Sequence, residues 1–592
     1  MKKVLIANRG EIAVRLIRAC RDYGLTSVAV YADVDVDALF VGLADEAYAL
    51  QGSSPRDSYL DSEKLIAIAR RAGADAVHPG YGFLSENARF AAAVMAAGLT
   101  WIGPDPDVIE ALGDKLKARD IARSVGAPLV AGSDGAISSA FEARAFALRF
   151  GLPIAIKAAH GGGGRGIKIA RHLDEVEDLF NSATREAVAA FGRGECYVEQ
   201  FLDRPRHIEA QVLADRHGTV LVVGTRDCSL QRRNQKLVEE APAPFLSDAQ
   251  RDVIHKAARD ICQAARYVGA GTVEFLLSAD GIISFLEVNT RLQVEHPVTE
   301  ETTGLDLVLE QFRIAEGQPL EVSEMPAPRG HAIEFRINIE DPARGFLPFA
   351  GRITRFAPPS GPGVRLDTGV SSGADVAAMF DSLVAKLIVW APDRALAIAR
   401  ARRAMAEFAI DGVPSVLPFH RAVLEHPDFA GADFKVHTRW IETDFAGNLE
   451  SQRRPAPVAV EETLSGHVEI DGKRVELRLP ASFLSLLGRA PANGKHPAPD
   501  PADKTALLAP LSGNLVHWTV SSGEHVEQGS VVAMMDAMKM ETAVTAPWSG
   551  ILTIAVEAGS FQPAGTILAH ITPGPAAASS PPDASSRPEA LT

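Results

Sequence analysis

Glu287-Val288-Asn289-Thr290-Arg291-Leu292-Gln293-Val294-Glu295 is the stretch whose reading decides the fold. Polar side chains fall at 287, 289, 291, 293 and 295, with Val288, Thr290, Leu292 and Val294 between them. Successive side chains of an extended strand point to opposite faces, so the odd positions are expected to share one. A solvated edge strand is the plainer reading, although such edges favour Lys and Thr over an Asn-Arg-Gln-Glu row. Upstream, Gly271 to Leu277 and Ile282 to Glu287 are apolar β-type runs around Asp280-Gly281. Asp-Gly in that setting signals a two-residue hairpin turn. Residue 279 would then pair with 282, and Glu274 would stand opposite Glu287, their Cβ atoms roughly 4.5–5.5 Å apart. Two carboxylates that close repel unless a cation lies between them, and Asn289 adds a third oxygen on the same face. Oxygen-only ligands of this kind suit Mg²⁺ or Mn²⁺, with phosphate oxygens completing the shell. The alternatives are one protonated carboxyl, or both splayed into water.

The chain has 592 residues, enough for several domains. Its 75 acidic against 60 basic residues leave a net charge of −15, which argues against a nucleic acid or an anionic membrane as main partner. Cys20, Cys196, Cys228 and Cys262 show no C-x-x-C spacing, so neither zinc nor a disulfide framework is indicated, which fits a reducing cytosol. The apolar run after Met1 ends at Asn8-Arg9, too short for the core of a signal peptide, and no apolar stretch is long enough to span a bilayer.

From the amino terminus, residues 3–7 read as a buried strand, Asn8-Arg9-Gly10 as a turn, and a helix follows with Ile12, Val14, Ile17 and Cys20 among its apolar positions. A strand at Ser27–Tyr31 and a helix-strand unit over 63–79 complete a doubly wound, Rossmann-like α/β start. It lacks G-x-G-x-x-G, so a nicotinamide cofactor is not supported. Further on, the strand ending at Lys157 leads into His160-Gly161-Gly162-Gly163-Gly164-Arg165-Gly166. Such a loop can set backbone N–H groups against phosphate, but alone it is a weak signal, and it is not a Walker A motif. His207, Glu209 and Gln211 alternate with Ile208, Ala210 and Val212, a second polar strand face. Arg232, Arg233 and Lys236 form a basic cluster that could be a solvated loop but, beside a metal–phosphate site, suits an anion.

Past residue 446 the composition changes. His467 to Leu479 reads as a small hairpin around Asp471-Gly472, 488–504 as a proline-rich linker, and 574–592 as a low-complexity tail. Between them lies a repeat: Ala509-Pro510-Leu511-Ser512-Gly513 recurs 37 positions later as Ala546-Pro547-Trp548-Ser549-Gly550. Gly529 to Ala533 recurs as Gly565 to Ala569, so two similar halves are expected to build a pseudo-symmetric all-β unit. They meet at Asp536-Ala537-Met538-Lys539-Met540-Glu541, which puts Lys539 at an exposed hairpin tip between two methionines. That suits a recognition or attachment site better than an ordinary surface lysine.

Ala537-Met538-Lys539-Met540 within such a repeat resembles the biotinyl domain of biotin-dependent carboxylases. Residues 6–13 (Ile-Ala-Asn-Arg-Gly-Glu-Ile-Ala), 78–87 (His-Pro-Gly-Tyr-Gly-Phe-Leu-Ser-Glu-Asn), the glycine loop, Glu239-Glu240-Ala241-Pro242 and Glu287 to Pro297 resemble an ATP-grasp biotin carboxylase. The layout is similar to the biotin-bearing subunit of an acyl-CoA carboxylase. The resemblance implies a multidomain α/β chain: an N-terminal α/β domain over 1–113, an ATP-grasp domain with lid over 114–330 and a C-terminal carboxylase domain over 331–446. A linker with a small hairpin over 447–504, a small all-β, lipoyl-like biotinyl domain over 505–573 and a disordered tail over 574–592 would follow. It implies covalent biotin on Lys539, with ATP and Mg²⁺ or Mn²⁺. Lys115, Lys157 and His207 would meet nucleotide phosphates, with Gly162, Gly163 and Gly164 in the closing lid, and Glu199 and Leu276 by adenine and ribose. Glu274, Glu287 and Asn289 would hold metal. Lys236, Arg291, Gln293 and Val294 would bind bicarbonate, Glu295 would be the base, and Arg336 would face biotin; Lys236 and Arg291 would act alongside them in catalysis.

The implied partners are a separate carboxyltransferase, a biotin protein ligase and further copies in an oligomeric holoenzyme, in the cytoplasm, with no nucleic acid and no membrane. The implied acceptor is an acyl-CoA, acetyl- or propionyl-CoA; a pyruvate or urea carboxylase subunit, or a carrier with a decayed ATP-grasp part, are the other readings. One departure is Asn234, where the family usually has an aromatic residue or histidine near the nucleotide.

Overall fold

The computed structural model describes residues 1–158, 167–191, 193–321, 324, 327–445, 463–470, 473–480, 505–537 and 540–572. The glycine loop, Met538, Lys539, most of the expected linker and the expected tail lie outside them. The chain divides into two compact units. The first comprises Met1–Leu347, Gly351–Ala377 and Ser382–Arg454; the second comprises Pro455–Thr592 with Pro348–Ala350 and Ala378–Asp381. Among the described residues no helix is long and apolar enough to cross a membrane.

The first unit begins with a five-stranded parallel sheet. Strands β1 (Lys3–Ile6), β2 (Thr26–Tyr31), β3 (Glu46–Ala49), β4 (Ala76–His78) and β5 (Thr100–Trp101) lie in the order β3-β2-β1-β4-β5. Val4, Leu5 and Ile6 are wholly buried, as strands covered on both faces must be. Helix α1 (Gly10–Tyr23) packs Ile12, Leu16, Ile17 and Cys20 into this core and stops at Gly24, whose left-handed φ of 79° closes the helix.

A smaller three-stranded sheet follows, made of β6 (Ile154–Ala158), β7 (Ile167–Ala170) and β8 (Cys196–Gln200) in the order β7-β6-β8. His207, Lys236, Glu274, Leu276, Glu287, Asn289 and Arg336 of the expected site lie on a third, eight-stranded antiparallel sheet. Its strands are β9 (Arg206–Ala214), β10 (Val220–Arg232), β11 (Gln235–Ala241), β12 (Gly269–Leu277), β13 (Ile283–Asn289) and β14 (His331–Asn338). They run β13-β12-β9-β10-β11-β14 and continue through Leu383–Ala391 to Val364–Thr368. No break in the sheet marks the expected boundary at 330/331: β14 pairs directly with β11.

Alternation gives this sheet two different faces. Ile208, Ala210 and Val212 of β9 and Val273 and Phe275 of β12 join Ile254, Ala258 and Ile261 of the helix Asp248–Ala264 in one core. That helix is fixed at its start by a reciprocal Ser247–Gln250 capping box. His207, Glu209 and Gln211 point to the opposite face, yet they are buried too. Buried polar groups need partners, so this face carries a dense polar network in place of a solvated surface.

The β12–β13 hairpin differs from its sequence reading in an instructive way. Asp280-Gly281 does not form a two-residue turn. Ser278 N–H donates to Ile282 O at 2.9 Å and Gly281 N–H to Ser278 O at 3.0 Å, leaving a three-residue loop with Gly281 at φ 84°. Near the turn the strands are therefore one residue out of the expected register, with Leu277 opposite Ile283 and Phe275 opposite Phe285. A bulge at Leu286 then restores it, and Glu274 faces Glu287 as expected. The expected strand beyond Asn289 is also corrected. β13 ends there, and Thr290 to Glu295 form an irregular segment leading into the helix His296–Thr303, with Pro297 in its first turn. Glu295 occupies the residue before that helix.

In the second unit, Thr463–Ile470 and Lys473–Pro480 pair antiparallel, the hairpin read around Asp471-Gly472, whose two turn residues lie outside the described ones. Residues 505–572 build two four-stranded sheets. Each combines strands from both halves of the repeat: Gly513–Trp518 lies between Val531–Ala537 and Phe561–Gln562, while Gly550–Ile554 lies between His525–Val526 and Ile567–Thr572. Val531–Ala537 and Met540–Thr545 pair with Ala537 opposite Met540, and these strand ends flank Met538-Lys539.

Candidate active site

Lys236 on β11 is the hub of the polar face. Its Nζ donates to Glu209, to Glu274 Oε1 at 3.1 Å, to Gln293 Oε1 at 3.2 Å and to Glu295 Oε1 at 2.8 Å. Burial disfavours its charge, but Glu209, Glu274 and Glu295 outweigh that and hold its pKa well above the usual lysine range. Glu209 has a second cation in Arg226, whose Nε donates to it at 2.9 Å and whose other nitrogens reach Gln211, Thr272 and Thr299. Arg336 on β14 donates from Nη2 to Glu295 Oε2 at 2.9 Å and from Nε to Glu239 Oε1 at 2.5 Å. Glu295 is 1% exposed. Burial alone would raise its pKa; Lys236, Arg336 and Arg226 prevail and hold it well below the usual carboxylate range.

The carboxylates at the β12–β13 register are unequal. Burial would raise Glu274, but Lys236 and His207 prevail and hold it well below its ordinary value. His207 Nε2 lies 2.9 Å from Glu274 Oε2. Glu287 is raised, first by burial and then by Glu274. Asn289 donates from Nδ2 to Glu274 Oε1 at 2.8 Å, and its Oδ1 accepts from Arg291 at 3.2 Å. The protein's own charges thus neutralise Glu274 and leave Glu287 with like charge beside it. Two carboxylates in direct register with an amide oxygen next to them are hard oxygen donors, and this set fits Mg²⁺ or Mn²⁺.

The expected nucleotide residues fall into two groups. Lys115 begins the helix Lys115–Ser124; its pKa is lowered by burial against the opposing pull of Glu287. His207 stands on β9 opposite the half-buried Leu276 of β12. Lys157 and Glu199 belong instead to the three-stranded sheet, on β6 and β8. Glu199 accepts from Lys157 with one oxygen and from Arg119 at 2.7 Å with the other, so both are engaged in ion pairs. Gly162, Gly163 and Gly164 lie outside the described residues.

Of the expected bicarbonate residues, Gln293 joins the hub through Lys236 and also donates to Glu274 at 3.1 Å. Arg291 is turned toward Glu86, donating from Nε to its Oε2 at 3.1 Å. Val294 contributes its carbonyl, which accepts from Lys386 Nζ at 2.8 Å. Lys386 is wholly buried and pairs with Glu11 at 3.1 Å. Asn234 and Arg233 form the two-residue turn between β10 and β11, with φ of 64° and 47°, and Arg232 pairs with Gln235 across it. Asn is favoured at such left-handed turn positions, so backbone geometry accounts for it.

Sequence reasoning missed roles for Glu209, Glu239, Glu86 and Lys386. Glu209 had a signal in the β9 alternation and Glu86 in the 78–87 motif. Glu239 had a signal in the 239–242 motif, but its place beside Arg336 comes from the β11–β14 pairing; Lys386 reaches the site only through the continuation of that pairing to Leu383–Ala391, which no local pattern carries.

Comparison with known proteins shows the family. Family models match residues 1–109 (biotin carboxylase, N-terminal domain), 114–323 (carbamoyl-phosphate synthase L chain, ATP binding domain), 334–443 (biotin carboxylase C-terminal domain) and 505–571 (biotin-requiring enzyme). A crystal structure of a biotin carboxylase–nucleotide complex from Campylobacter jejuni is 41% identical, with a TM-score of 0.72 over 74% of this chain and 98% of that one. The biotin carboxylase domain of 2-oxoglutarate carboxylase from Hydrogenobacter thermophilus, solved with MgADP, ADP and bicarbonate, is 45% identical, with a TM-score of 0.71 over 74% of this chain and 97% of that one. The chain belongs to the biotin-dependent carboxylase family, as an ATP-grasp biotin carboxylase fused to a biotin-carrier domain. Its likeness over nearly full length is to the alpha component of an acyl-CoA carboxylase. The biotin-dependent acyl-coenzyme A carboxylase alpha3 subunit of Mycobacterium leprae is 55% identical over 96% of this chain and 98% of that one. A pyruvate carboxylase component from Methanothermobacter thermautotrophicus is 44% identical over 87% of this chain and 99% of that one.

Proposed function

We infer that this chain is the biotin-bearing subunit of an acyl-CoA carboxylase. It uses ATP and bicarbonate to carboxylate biotin carried on Lys539, for transfer by a separate carboxyltransferase to acetyl- or propionyl-CoA. The observation that carries this reading is the convergence of Lys236 and Arg336 on the buried Glu295, on the same polar face as the Glu274–Glu287 pair, whose Glu274 Lys236 also reaches. The full-length likeness to an acyl-CoA carboxylase favours that acceptor over pyruvate. In this reading residues 1–113, 114–330 and 331–446 serve the carboxylase step and 505–573 the carrier. A biotin protein ligase would load Lys539, the holoenzyme would be oligomeric, and the setting would be the cytoplasm.

Each residue has a physical task. Lys115, Lys157 and His207 meet the nucleotide phosphates, with Glu199 fixing Lys157, Leu276 flanking the nucleotide and the 162–164 glycines closing over it. Glu274, Glu287 and Asn289 hold Mg²⁺ or Mn²⁺, which when bound neutralises phosphate charge. Arg291, Lys236, Gln293 and the Val294 backbone hold bicarbonate. Lys386 fixes Val294 and, through it, the adjoining Glu295. Phosphoryl transfer depends mainly on such positioning and charge.

Bicarbonate must lose a proton as it attacks the γ-phosphate, and Glu295 is placed to take it. In the substrate-free protein two cations suppress the basicity of Glu295. An arriving bicarbonate anion shares Lys236, weakening that hold, so Glu295 becomes a better base when its substrate is present. Biotin, once attached, supplies the urea nitrogen that accepts the carboxyl group. Arg336, charged at every accessible pH, would face the attached biotin and stabilise negative charge on its urea group as that nitrogen's proton passes to the released phosphate.

Glu287→Gln is expected to raise the Mg²⁺ concentration needed for half-maximal activity, because one carboxylate of the pair loses its charge. A magnesium titration of bicarbonate-dependent ADP release checks this, and an unchanged midpoint would remove Glu287 from the metal site. The overall reading is tested by ADP release from the purified chain with and without bicarbonate; release indifferent to bicarbonate would contradict it.

A further inference from the structure

Beside Arg336 lie two carboxyls that the chemistry above leaves without a role. Glu239 on β11 and Glu334 on β14 are directly opposed in register, and both are 0% exposed. Glu239 Oε1 accepts from Arg336 Nε at 2.5 Å. Its Oε2 and both oxygens of Glu334 have no hydrogen-bond partner among the described residues. Directly opposed side chains have Cβ atoms about 4.5–5.5 Å apart. Two ionised carboxylates at that spacing, with most of their oxygens lacking a donor, are not tolerated in a buried site.

The surrounding charges are accounted for on every packed element. On β11, Lys236 is held by Glu209, Glu274 and Glu295, and Glu240 faces the reverse side with His331 and Arg394. On β14, Arg336 joins Glu239 to Glu295. On the next strand, Lys386 stands opposite Arg336 and pairs with Glu11. The helix His296–Thr303 covers this face through Val298. Its Glu300 and Glu301 are held by Arg15 and Arg365, and its His296 Nδ1 lies 2.8 Å from Gln293 O. On the reverse side His420 lies against the Arg336 carbonyl.

We propose that Glu239 and Glu334 hold one proton between them in the resting enzyme, and that Glu239 takes a second from solvent when bicarbonate competes for Arg336. The Arg336–Glu239 ion pair breaks, an O–H bond forms on Glu239, and the guanidinium charge passes to the anion. Glu239 is thus a positioning residue that releases Arg336 on demand; the pair's role rests on the bicarbonate site assigned above, extended to Arg336, which shares Glu295 with Lys236. Burial pushes Glu239 up to about 7 against the pull of Arg336. Burial also drives Glu334 well above the usual carboxylate range, Glu239 adding to it against Lys386 and Arg336.

A site that gains a proton on binding loses affinity as pH rises above the resting pKa. The test is the KM for bicarbonate, from ADP release by the full chain at saturating ATP and Mg²⁺, across a pH series. In the native chain KM is expected to rise by up to about tenfold per pH unit above about pH 7. In Glu239→Gln, which cannot ionise, the KM is expected to stay flat over the same range. A native KM flat with pH, with activity intact, would overturn the proposal. So would a Glu239→Gln KM that is raised by a constant factor but keeps the native slope, the mark of a merely structural role. Should Glu239→Gln fail to fold, Glu334→Gln decides. Glutamine matches a protonated carboxyl, so the rise in KM should begin at the native pH. A start displaced downward by a unit or more would show Glu334 ionised at rest and overturn the pair. Absence of bicarbonate-dependent ADP release at every pH would instead overturn the function on which the proposal rests, and the proposal with it.

Discussion

Glu295→Gln is expected to lower bicarbonate-dependent ADP release by roughly 10²–10⁴-fold, the contribution of one positioned general base. The substitution keeps the shape of the side chain but removes its negative charge and its ability to accept a proton. Lys236 would lose one of its three carboxylate partners and keep Glu209 and Glu274, so the hub should persist. Nucleotide binding should survive, because Lys115, Lys157 and His207 do not lean on Glu295. Turnover at saturating ATP and bicarbonate, set beside nucleotide affinity from equilibrium titration, separates the outcomes. Near-native turnover would remove Glu295 from proton transfer. Loss of nucleotide affinity in parallel would mean that the network had collapsed.

Lys539→Arg is expected to abolish biotinylation altogether. Arginine keeps the positive charge, but its guanidinium is a poor nucleophile and forms no amide with biotin. The strands Val531–Ala537 and Met540–Thr545 flank the position, and their pairing does not depend on which cation follows Met538. The variant carrier should therefore fold like the native one while failing to bind streptavidin after co-expression with a biotin ligase. Retained streptavidin binding would place the biotin elsewhere.

Local sequence patterns carried much of this site. The alternation of His207, Glu209 and Gln211 with Ile208, Ala210 and Val212 marked a strand with one polar face, and β9 has that face. The Glu274–Glu287 opposition was legible although the turn was not. The three-residue loop put the strands one residue out of register, and the bulge at Leu286 brought them back. A hydrophobic pattern of period two sees neither feature, since each adds a single residue. The strand reading failed after Asn289 for a different reason. Pro297 and the helix it starts draw the chain off the sheet edge, so Gln293 and Glu295 are brought to the hub by side-chain bonds instead of by strand periodicity, while Arg291 bonds Glu86 and Asn289. Glu334 and Lys386 were illegible, and Glu239 was legible only as part of the 239–242 motif, because their places arise from strand pairing between segments far apart in sequence.

This chain is expected to carboxylate its own biotin, with Glu295 as base and Lys539 as carrier. The most direct measurement supplies the purified, biotinylated chain with ATP, Mg²⁺ and ¹⁴C-bicarbonate, in the absence of any carboxyltransferase. It follows label bound to the protein together with ADP released. The account predicts acid-labile label on the native chain, none on Lys539→Arg, and accumulation on Glu295→Gln slowed in step with its ADP release. Label persisting on Lys539→Arg, or a native chain that releases ADP in response to bicarbonate and never becomes labelled, would contradict it.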